Sequence, residues 1–188
     1  MIVSITGHTK GLGRYLYDHF SKEHTVVGLS RTTGFNFEKD WKKIVDAISE
    51  SDLFINNAYL NNNQNLLVDE VKNKVSKIVC IGSQARKYPN LVGIEYSKNK
   101  QQLYNMVDEY TSLDDTNPCL HVDLGFMQLE ESDIDDPCKV KSPFYTTYKE
   151  VSDVIDFWLD NPKIKNIEFE TPITDEVMIQ LKNHNPDI

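Results

Sequence analysis

No apolar run in this 188-residue chain approaches the roughly 18 residues that a membrane span requires. A secretory leader is not expected either, because Ile2-Val3-Ser4-Ile5 already reads as a strand and no charged segment precedes it. The three cysteines, Cys80, Cys119 and Cys138, are odd in number, widely spaced and without a C-x-x-C pair. A reduced, cytoplasmic setting is the simplest reading, with no metal site, and Cys80 sits in an apolar run as inert core. Basic residues are outnumbered, 20 Lys and Arg against 29 Asp and Glu, for a formal charge of −9. That balance excludes a general nucleic-acid binder, which needs a basic stripe to neutralise phosphates. It does not exclude a phosphate-bearing ligand, because a local nest of backbone N–H groups can act against the net charge.

Internal repeats, heptads and long Gly/Ser/Pro linkers are missing as well. With 39% hydrophobic and 26% charged residues, residues 1–188 are read as one soluble domain able to bury a core. Short apolar runs alternate with helical stretches, the pattern of a parallel sheet with crossover helices. Expected strands are Ile2–Ile5, Thr25–Leu29, a short one near Phe35–Phe37, Leu53–Asn56, Lys77–Ile81, Cys119–Asp123 and Ile167–Glu170. Leu12, Tyr15, Leu16, His19 and Phe20 share a helical face, as do Trp41, Ile44, Val45 and Ile48, and then Val151, Val154, Ile155 and Trp158. Asn61 to Asn65 is read as a polar loop, Leu129 to Tyr145 as a long loop shaping a substrate pocket, and the tail after Thr171 as loosely attached.

Between the first strand and first helix lies Thr6-Gly7-His8-Thr9-Lys10-Gly11-Leu12-Gly13. A phosphate-binding turn needs glycines there for tight geometry and close approach, and the helix N-terminus adds unpaired N–H groups and a favourable dipole. His8 is read as a solvated loop residue. The second strand ends Gly28-Leu29-Ser30-Arg31-Thr32, without the acid that would bond an NAD ribose. Arg31 offers instead a bidentate fork for a 2′-phosphate. Further on come Asn56-Asn57-Ala58, then Ser83 at the end of an apolar strand, then Tyr96-x-x-x-Lys100. Tyr96 and Lys100, four apart, share a helix face, so the ammonium is expected to lower the phenol's pKa toward working pH.

In this order the segments resemble the short-chain dehydrogenase/reductase family, from the first strand to about Gly125. The resemblance implies a Rossmann-like, doubly wound α/β sheet of order 3-2-1-4-5-6-7, with helices on both faces. It implies an oxidoreductase acting on CH–OH or C=O groups, with Ser83 orienting a carbonyl, Tyr96 as general acid/base, and Lys100 tuning Tyr96 and gripping the nicotinamide ribose. Cofactor contacts are implied for Gly7, Thr9, Lys10, Gly11, Leu12, Gly13, Ser30, Arg31, Thr32, Asn36, Phe37, Asn57, Ala58, Tyr96, Lys100, Gly125, Phe126 and Met127. Lys10, Ser30, Arg31 and Thr32 match NADP-preferring members, so NADP(H) is favoured over NAD(H). The partners implied are a small carbonyl or alcohol, with a homo-oligomer allowed and neither nucleic acid nor membrane.

Two departures stand out. The chain between Asn57 and Ser83 is short, so the family's fourth catalytic residue, a helix asparagine, has no secure match; Asn61, Asn62, Asn63 and Asn65 compete with the reading of loop filler. The family's N-P-G-x-V-x-T becomes Asp123-Leu124-Gly125-Phe126-Met127-Gln128-Leu129, leaving the nicotinamide to backbone groups near Phe126 and Met127. Tyr59 stands where glycine is usual. The alternative to an enzyme is an NADP(H)-binding sensor or regulatory module on the same fold.

Overall fold

The near-continuous apolar runs form one parallel sheet, as expected where helices cover both faces. The computed structural model describes residues 1–113, 117–130 and 139–184. Strands β1 (Ile2–Thr6), β2 (Thr25–Leu29), β3 (Leu53–Asn56), β4 (Lys77–Ile81), β5 (Cys119–Leu124) and β6 (Asn166–Phe169) lie in the order β2-β1-β3-β4-β5-β6. Every pairing is parallel, with Val3 opposite both Val26 and Leu53, and Ile55 opposite Val79.

Alternation along the strands divides the core. Val3, Ile5, Leu53, Ile55, Val79, Ile81, Leu120 and Val122 face helices α1 (Gly11–Phe20) and α6 (Tyr148–Asp160), meeting Leu12, Leu16, Phe20, Val151, Ile155 and Trp158. Phe54, Ile78, Cys80 and Cys119 face the other way, onto α2 (Trp41–Ser49), α3 (Asn63–Val71) and α5 (Ile94–Leu113). Helix α6 opens with a capping box in which Thr147 and Glu150 satisfy each other's backbone N–H groups. Among the described residues no helix is long and apolar enough to cross a membrane.

Three sequence expectations change. Phe35–Phe37 forms no strand, so the sheet ends at β2 and the expected seven-strand order loses its first member. Ser30 to Gly34 instead closes a 3-10 turn over Arg31–Thr33, with Gly34 left-handed at φ 81°. The Phe35 N–H then returns to Ser30 O, and Asn36 O accepts from Lys39 and Asp40, so the backbone is satisfied locally. Second, Asn63, Gln64 and Asn65 are the first turn of α3 rather than loop. Third, the tail is docked: α7 (Asp175–His184) buries Val177 and Leu181. Of the long loop, residues 131–138 lie outside the described residues. Its ends are clamped by Gln128 N–H to Thr146 O (2.9 Å) and Thr146 N–H to Phe126 O (2.8 Å).

Candidate active site

The glycine loop has the geometry its residues predict. Gly7 and Gly11 take φ of 71° and 56°, where a side chain is strained. A Cβ on Gly13 would stand 2.2 Å from Gly7 O, so the loop folds back on the helix start only because that atom is missing. Asn57 fastens the loop to β3: its Nδ2 donates to Thr6 O (3.0 Å), while Thr6 Oγ1 accepts from the N–H groups of Asn57 and Ala58 (3.0 Å each). Leu12 is turned into the core rather than toward the cleft.

His8 is not solvated. Its ring fills the slot left by Gly28, where a Cβ would come within 2.4 Å, and it packs on Tyr17 at 5.1 Å. Burial and Arg14 push its pKa down, so it stands neutral in the fold.

A cleft of about 430 Å³ gathers Gly7, Thr9 and Lys10 with Ser30, Arg31, Thr32, Asn36, Phe37, Ala58 and Tyr59. Arg31 is exposed there, while Ser30 Oγ is hydrogen-bonded to Thr32 Oγ1 (2.8 Å). Asn36 Oδ1 accepts from Glu38 N–H (2.9 Å), so part of its acceptor capacity serves a turn. A second cleft, about 660 Å³, shares Gly7, Lys10, Ala58 and Tyr59 with the first and extends past Gly11 and Asn57 to Gly125, Phe126 and Met127. Within it Glu130 Oε1 accepts from Gly11 N–H at 2.7 Å, a carboxylate on a donor at the start of α1. Phe126 has its N–H on Thr171 Oγ1 (2.8 Å) and its carbonyl on Thr146, so its backbone is already engaged.

A third cavity, about 230 Å³, shares Gly125 and Phe126 with the second and is lined by Ser83, Tyr96, Tyr88, Leu91, Val92, Ile173 and Leu181. Its apolar walls come from α4 (Pro89–Val92) and the C-terminal segment. The described part of Leu129 to Tyr145, expected to shape this pocket, does not line it.

Ser83, Tyr96 and Lys100 converge. Ser83 leaves β4, caps the following 3-10 turn through Ala85 N–H (3.2 Å), and hydrogen-bonds with the Tyr96 side chain. Tyr59 packs edge-on against Tyr96 with ring centroids 4.7 Å apart. The expected acidification of Tyr96 is not found. Burial raises its pKa, opposed by the bond to Ser83, with further upward pushes from Tyr59 and Asp123. The reason lies in where the ammonium points: Lys100 Nζ is 5.7 Å from the Tyr96 ring centroid and donates to Gln64 Oε1 (2.7 Å) and Ile81 O (2.9 Å). Lys100 is 3% exposed, and burial lowers its pKa to about 8.

Gln64 was missed by the reading of Asn61–Asn65 as loop. Its signal was helical: Gln64, Leu67, Val68 and Val71 recur at one face of α3, and all are buried. Of the competing asparagines, Asn65 uses its Nδ2 within the start of α3, on Asn62 Oδ1 (2.6 Å), and across to α5, on Asn99 O (3.2 Å).

No family model matches the chain, and no curated protein matches it. Solved structures do. A serine dehydrogenase in complex with NADP+ superposes with TM-score 0.66 at 19% identity, over 93% of this chain and 96% of that one. A short-chain dehydrogenase from Sphingobium yanoikuyae in complex with NADPH gives 0.64 at 13%, over 99% and 95%. A 4-hydroxyisoleucine dehydrogenase in complex with NADH gives 0.67 at 14%, over 90% and 96%. At such identities the likeness concerns architecture, and the architecture is the Rossmann-like fold of short-chain dehydrogenase/reductases.

Proposed function

We propose that residues 1–188 form one NADP(H)-binding domain of the short-chain dehydrogenase/reductase family, an oxidoreductase interconverting a small carbonyl and its alcohol. The observation that carries this is the run of three adjoining cavities along the C-terminal strand ends, from Arg31 past the glycine loop to Ser83 and Tyr96. Ligands of open α/β sheets bind at that edge. The residues suit a dinucleotide: glycines where a Cβ would close the cradle, N–H donors at the start of α1, and Arg31 where an NAD-binding chain carries an acid, with Lys10 in the same cleft.

When bound, the nicotinamide supplies a hydride to the carbonyl carbon. Ser83 Oγ orients the carbonyl oxygen, and Tyr96 Oη gives it the proton. Burial keeps that phenol protonated at neutral pH, the form a reduction consumes. Lys100 holds the nicotinamide ribose. The substrate cavity, small and largely apolar, suits an uncharged carbonyl compound.

The test is the pair of dissociation constants for NADPH and NADH, followed by NADPH consumption over a panel of dicarbonyls, aldehydes and quinones. Tighter NADPH binding and turnover lost in Tyr96→Phe are expected; binding of neither cofactor would overturn the reading. The sensor alternative draws on Glu130 occupying Gly11 N–H, a contact that a cofactor's diphosphate would release. NADPH binding with no turnover over the whole panel, and capture of a partner only with NADPH, would favour it.

A further inference from the structure

Lys100 is a buried cation whose surroundings this chain builds in its own way. Gln64, 3% exposed, reaches it from α3. Gln64 Nε2 donates to Asn56 O (2.9 Å) and Ile81 O (3.2 Å), and Asn56 Nδ2 donates back to Gln64 O (2.8 Å). Two carbonyls therefore fix the amide's orientation, and Oε1 has to face Lys100. An ammonium group has three N–H bonds. Two go to Gln64 Oε1 and Ile81 O.

We propose that Gln64 is a positioning residue of this active site: its amide, anchored on β3 and β4, holds the Lys100 ammonium and leaves one N–H for the nicotinamide ribose. This rests on the functional reading above. In this chain the contact to Lys100 comes from the first turn of α3, in the stretch where the family's helix asparagine has no secure match. Gln64 acts through Lys100 and touches neither cofactor nor substrate.

Counting N–H bonds yields the test. Once Lys100 loses a proton, its two remaining N–H bonds are both spent on Gln64 and Ile81, and NADPH loses its ribose donor. NADPH affinity then declines as pH rises through the Lys100 pKa of about 8. The groups facing Lys100 are Tyr96 on its own helix, Tyr59 after β3, Cys80 on β4, and His121 and Asp123 on β5. The 2′-phosphate titrates near pH 6 and stays clear of this window.

NADPH dissociation constants are measured from pH 6 to about 10 for wild type, Gln64→Glu and Gln64→Met, with the melting temperature of each. Gln64→Glu sets a carboxylate beside the ammonium and moves the alkaline decline upward by about one pH unit or more. Gln64→Met removes the acceptor and moves it downward. A packing role alone would lower melting temperatures and leave the decline at its wild-type pH in both variants, which overturns the proposal. Absence of NADPH binding in the folded wild type overturns the functional reading and this inference with it.

Discussion

Glu130→Gln tests the cofactor loop most directly. In the free protein Glu130 Oε1 accepts from Gly11 N–H at 2.7 Å, on a donor that a bound diphosphate would need. Binding must first break this contact. A hydrogen bond to a charged group is worth about 1.5–3 kcal/mol and a neutral one about 0.5–1.5, so replacing carboxylate by amide lowers that cost by about 1 kcal/mol. Repulsion between the displaced carboxylate and the diphosphate, some 8 Å apart in water, adds about 0.5 kcal/mol per charge pair. The sum, about 1–2 kcal/mol, makes NADPH bind about 5- to 30-fold more tightly in the variant.

The free fold responds with opposite sign. A carboxylate at a helix N-terminus stabilises it by about 0.3–1 kcal/mol, so Glu130→Gln melts a few degrees lower at most. Titrating NADPH fluorescence at low salt and at about 1 M salt separates the repulsive part, which salt screens. Unchanged or weaker NADPH binding in the variant would refute the reasoning and assign Glu130 to holding the loop in its binding shape.

In the proposed reaction Tyr96 gives the carbonyl its proton, so Tyr96→Phe is expected to lower kcat by at least about 100-fold with little change in NADPH affinity; retained turnover sinks that role. Arg31→Ala removes the fork for the 2′-phosphate and should weaken NADPH by about 1.5–3 kcal/mol while sparing NADH, measured as the ratio of dissociation constants. Lys100, lowered from its ordinary value to about 8, leaves the native state with fewer bound protons than the unfolded chain between about pH 8 and 10.4, so its contribution to stability rises with pH there. From pH 8 to 9 that gain is about 1 kcal/mol, or about 2–4 °C in melting temperature, and it should vanish in Lys100→Met. A melting temperature equally flat in both proteins would contradict the buried ammonium.

What the sequence made legible was whatever local pattern decides. Leu12, Leu16 and Phe20 keep helical spacing because one face of α1 must meet the sheet, and Gly13 is glycine because Gly7 O lies where its Cβ would be. Phe35–Phe37 misled because aromatic residues suggest a strand, whereas strand formation also needs a neighbour. With the Phe35 N–H and the Asn36 carbonyl taken by turns, none was recruited. His8 looked solvated because nothing local reveals that Gly28, on another strand, leaves a slot for its ring. Tyr96 was assigned a lowered pKa from its spacing to Lys100, and spacing says nothing about burial or about an ammonium turned toward Gln64.

The misreadings of Gln64 and Tyr96 share one origin in the short stretch between Asn57 and Ser83. With only a nine-residue α3 there, the helix begins almost where β3 ends, and Gln64 comes back onto the backbone of Asn56. That return pulls Gln64 onto Ile81 O and Lys100 Nζ together, while Tyr59 on the same turn closes edge-on over Tyr96. The contact between Gln64 and Lys100 is direct, and it holds a lysine so deeply buried that its pKa falls to about 8.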